Sequence, residues 1–76
     1  MTEAEMQILI NNKCISTARI IPSGDVWHLV CIQKSMNSPL FIGDDSGQCM
    51  AFRSIDMAVK ICKRLGFKNV DVYIGD

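Results

Sequence analysis

His28 is the only histidine in this sequence, and acid–base chemistry through it needs a carboxylate or nucleophile brought close by the fold. Its neighbours Trp27 and Leu29 are apolar and no motif supplies such a partner, so no catalytic residue is assigned. On a strand its side chain would project to the sheet surface opposite the helix. Cys14, Cys31, Cys49 and Cys62 are 17, 18 and 13 residues apart, without the Cys-x-x-Cys pair that metal knuckles and redox sites use. Each lies in an apolar segment, which predicts free thiols acting as small buried hydrophobes, with no disulfide framework and no metal. Asp44 and Asp45 sit between Gly43 and Gly47, but the twelve-residue calcium pattern with its terminal glutamate is missing, so they read as turn residues. The same glycines lack the Gly-Lys-Ser/Thr ending of a phosphate loop, and no cofactor is expected.

The remaining chemistry is charge. Lys60, Lys63 and Arg64 share one face of a helical segment, with Arg53 and Lys68 beyond its ends, and could neutralise DNA phosphates. The formal net charge is zero, yet residues 53–68 hold five bases and one acid, while the rest hold three bases and seven acids. Such a molecule is an electric dipole able to steer a polyanion or an acidic protein. The same residues also suit a solvated face, with Asp56 one turn from Lys60. Trp27 and Phe41 are expected in the core rather than as base-stacking platforms.

The element that positions those cations is a helix at about 54–65. Ser54 stands at the N-cap, Asp56 in the first turn, and Gly66 follows as a left-handed stop. At about 100° per residue, Ile55, Ala58, Val59, Ile61, Cys62 and Leu65 form an apolar arc that Met57 widens to about 200°. One sheet covers only part of that width. The excess predicts a homo-oligomer with Met57 and Ile61 at the seam.

Strand signals surround this helix. Cys14 to Ile21 and Val26 to Ile32 flank the turn Pro22-Ser23-Gly24-Asp25, and the second arm, apolar on both faces, reads as a central strand. Leu40-Phe41-Ile42 and Gln48 to Phe52 form a second hairpin around the glycine-flanked loop. Asn69 to Ile74 alternates, with Val70, Val72 and Ile74 on one face, and returns to the sheet. At the N-terminus Thr2 and Glu5 match a capping box, while Gln7-Ile8-Leu9-Ile10 reads equally as a strand; a strand at about 6–10 is the reading adopted. The expected architecture is α+β: an antiparallel β-sheet of two hairpins, one α-helix packed on it, and a final C-terminal strand.

Composition bounds the remainder. Seventy-six residues, 49% hydrophobic and 21% charged, describe a single domain over 1–76. No apolar run approaches a membrane span, and the acidic start Met-Thr-Glu-Ala-Glu lacks the basic flank of a signal peptide, so the expected compartment is cytoplasmic.

Ala18-Arg19-Ile20-Ile21-Pro22-Ser23-Gly24, Pro39-Leu40, Gly47, Phe52-Arg53-Ser54-Ile55-Asp56-Met57-Ala58 and Leu65-Gly66-Phe67 together resemble the small plasmid-encoded, partition-associated (ParC-type) proteins. In those a strand and hairpin precede a Phe-Arg-Ser-Leu-Asp-Ala-Ala helix ending in Leu-Gly, then a short strand; the likeness covers about residues 17–74. This chain departs at Ile55 and Met57, where Leu and Ala are expected, and at Gln48-Cys49-Met50, where a base often precedes the phenylalanine. The resemblance implies a non-enzymatic accessory protein of plasmid maintenance, partition or transfer, beside DNA or a partition or transfer protein. The alternative is a protein–protein interaction or dimerisation module without nucleic-acid binding.

Overall fold

The computed structural model describes residues 1–44 and 46–75. Its elements run α1 (Glu3–Asn11), β1 (Ile15–Ser23), β2 (Val26–Gln33), β3 (Pro39–Phe41), α2 (Ile55–Leu65) and β4 (Asp71–Val72). The fold is α+β, with both helices on one face of a sheet ordered β3-β2-β1-β4. Pairing is antiparallel except where β4 runs parallel to β1.

α2 forms where its signals place it. The Ser54 hydroxyl accepts from the Met57 amide, and Gly66 has φ +96°. The Phe67 amide then closes the end by donating to the Cys62 carbonyl. Ala58, Ile61, Cys62 and Leu65 are buried.

The N-terminal segment corrects the expected strand at 6–10, because α1 occupies it. Both halves of the capping box are made, with the Thr2 hydroxyl accepting from the Glu5 amide and the Glu5 carboxylate accepting from the Thr2 amide. Met6, Leu9 and Ile10, spaced i, i+3 and i+4, turn to the core while Ile8 is 59% exposed. Local hydrogen bonds and that period outweighed the β-prone run. The helix ends as α2 does, except that Lys13 takes the left-handed position at φ 60°. The amides of Lys13 and Cys14 donate to the carbonyls of Ile10 and Leu9.

α1 also accounts for the width of the α2 arc. It packs beside α2, and Gln7 Nε2 donates to the Leu65 carbonyl at 3.2 Å. Ile61 is therefore buried inside one chain, which removes it from the expected seam, whereas Met57 is half-exposed. The second contact of the arc is intramolecular.

In the β1–β2 hairpin, Gly24 supplies a positive φ at the first position of a two-residue turn. A register shift between Ile15 and Thr17 inserts one residue, which brings Ile15 onto the same face as Ala18 and Ile20. β2 is interior, as its double-sided apolar pattern predicts.

The second hairpin is reduced. β3 pairs with Val30–Ile32, but residues 48–52 make only isolated bridges, Gly43 to Cys49 and Trp27 to Phe52. Phe52 exchanges both backbone hydrogen bonds with Trp27 and so takes the edge of β2 beyond β3. The final strand is also shorter than 69–74: Asp71 and Val72 pair with Arg19 and Ile20, and Ile74 is 88% exposed.

Candidate interaction surfaces

α2 turns Lys60, Lys63 and Arg64 to solvent, but the five predicted DNA-contact residues do not act as one set. Arg64 is bound across to α1, where Nη2 and Nε meet the Glu3 carboxylate at 2.7 and 3.1 Å. The Glu3 carboxylate raises the Arg64 pKa above its ordinary value through that hydrogen bond and its charge. Arg53, just before the helix, lines an open cleft with Asp25 and Val26 at the β1–β2 turn. Lys68 shares with Lys63 a shallow cleft of about 70 Å³ floored by Val59, Cys62, Phe67 and Val70. Lys60 is exposed one turn from Lys63, and Lys63 and Lys68 meet at that cleft.

The other candidates have structural roles. His28 projects from β2 away from the helices, as expected. Its Nδ1 lies 3.1 Å from the Met50 carbonyl, and its ring meets Phe41 edge-on at 6.0 Å. It thereby ties the loop after β3 to the sheet. The Asp44 carboxylate accepts from the Ser46 and Gln48 amides and the Ser46 hydroxyl, and the Ser46 hydroxyl is the main cause of its lowered pKa. Asp45 lies outside the described residues. Cys31 and Cys62 are buried thiols; burial pushes them up to about 12 and about 11, with the neighbouring Cys62 adding to the shift at Cys31. Cys49, expected in the interior, is exposed, because residues 48–51 do not enter the sheet. No group of three potential metal ligands occurs among the described residues. None of their helices is long and apolar enough to cross a membrane.

The surface that the sequence reading passed over is the sheet face opposite the helices. Ala18 faces Cys31 and Ile20 faces Leu29 on the core side, so the intervening pairs Thr17–Ile32, Arg19–Val30 and Ile21–His28 point outward. Phe41, opposite Val30, joins them and is 37% exposed, correcting its expected core position. Tyr73 flanks the other side, 47% exposed, with the Arg19 guanidinium carbon 5.5 Å from its ring centroid. Val30 and Ile32 are already buried within the chain, although neither belongs to the helix-side core. The available signal was the apolar residues on both faces of β2, which implied a second contact for that strand.

Compared with protein-family models, characterised proteins and solved structures, this chain matches none of them.

Proposed function

We propose that this chain is a non-enzymatic accessory protein of plasmid maintenance, partition or transfer that touches duplex DNA weakly through Lys60, Lys63 and Lys68. The observation that carries the DNA contact is charge segregation: residues 53–68 hold five of the eight bases and only one acid. The plasmid setting comes from the Phe52-Arg53-Ser54 and Leu65-Gly66-Phe67 motifs. Arg64 is left out because Glu3 already neutralises it, and Arg53 because it sits at the opposite end of α2 beside Asp25. Three cations release few counterions, so log affinity should fall with log salt at a slope of about −3 and little binding should survive physiological salt. Titrating labelled duplex at several salt concentrations tests this, with Lys60, Lys63 and Lys68 all changed to Ala in the comparison protein. Equal affinity for both proteins would remove α2 from the mechanism.

A second reading, an interaction module without nucleic-acid binding, is favoured by the exposed aromatic rings of Phe41 and Tyr73 on the sheet face away from the helices.

A further inference from the structure

We infer that the open sheet face is a homodimer interface, two copies stacking sheet to sheet with their helices outside. This does not depend on DNA binding and replaces the Met57–Ile61 seam. The two central strands, about 26 Å long and about 4.8 Å apart, with the short β3 and β4 beside them, present about 330 Å² per copy. Two copies would bury about 660 Å², the size of a weak, transient contact, so the dimer should form only at high concentration.

Charge selects a second copy over other occupants. The face carries one cation, Arg19, and one anion, Asp71, paired side by side across β1 and β4. A two-fold axis makes such a surface self-complementary, because Arg19 of each copy can meet Asp71 of the other. Single-stranded nucleic acid could also stack on Phe41 and Tyr73. With Arg19 balanced by Asp71, however, the face offers a polyanion no net positive charge.

Sedimentation of the full chain from low micromolar to near-millimolar concentration should show a monomer–dimer equilibrium. Phe41→Glu and Tyr73→Glu should each weaken it by at least about 30-fold, while Met57→Lys on the helix side leaves it unchanged. Circular dichroism checks that each variant is folded. In the unaltered protein, methyl resonances of Ile21, Val30 and Ile32 should move on dilution while those of Ile61 and Leu65 stay. A monomer at every concentration overturns the proposal, including one that binds single-stranded oligonucleotide. So does dimerisation that survives both glutamates, or that Met57→Lys abolishes.

Discussion

α1 and α2 are built to one plan and differ in how much of it their residues display. Each has a hydroxyl N-cap, acidic residues in the first turn and a left-handed residue at its end. In α2 the stop is Gly66 and the apolar stripe is broad. In α1 the stop is Lys13, and the stripe is only Met6, Leu9 and Ile10 beside a misleading Ile8. The difference teaches that caps report a helix locally, while a short stripe acquires its meaning from what it packs against.

The largest test of that likeness is burial. Leu65 is 1% exposed and Met6 is 0% exposed, so Leu65→Ala and Met6→Ala should each cost about 2–5 kcal/mol in urea unfolding. That is a large share of the about 4–11 kcal/mol expected for a domain of this size. A near-neutral Met6→Ala would mean that α1 is only an appendage.

The two stops should respond in opposite directions. Gly66→Ala places a Cβ in a left-handed conformation and should cost about 1–2 kcal/mol. Lys13→Gly relieves the same penalty, partly offset by the greater freedom of glycine when unfolded, and should gain about 0.5–1 kcal/mol. Thermal midpoints measured on both variants check the pair.

Cys62 lies on the buried side of α2 facing the sheet that carries Cys31. Both folded thiols titrate above the ordinary value of 9.0, so the unfolded chain ionises first. Stability present below pH 9 should therefore decline as pH rises toward the folded values of about 11 and about 12. Urea midpoints across that range, compared with a Cys62→Ala variant, measure the contribution. In the native protein at pH 8, alkylation should label Cys49 first.

The smallest expected effect on stability is at the exposed tie between the helices. Glu3→Gln should leave the urea midpoint almost unmoved. It also frees Arg64, and the salt slope for duplex binding should steepen from about −3 to about −4. An unchanged slope would show that Arg64 does not face the DNA.

The α+β class, α2 with both ends, the β1–β2 hairpin and the interior place of β2 were legible in the sequence. Each rests on interactions within a few residues or on a period carried along one segment. So was the role of Asp44, whose hydrogen bonds reach no further than Gln48. The charge stripe was legible as a pattern, but its working membership was not: Glu3 lies 61 residues from Arg64 in the chain and only the fold joins them. Tertiary structure likewise decided that α1 packs beside α2, that Phe52 occupies the edge of β2, and that β4 runs parallel to β1. It also left Phe41 and Tyr73 exposed on the sheet face away from the helices, with Arg19 against the Tyr73 ring. A local sequence pattern sets which side of an element is apolar, but which neighbour covers that side depends on contacts between residues far apart in the chain.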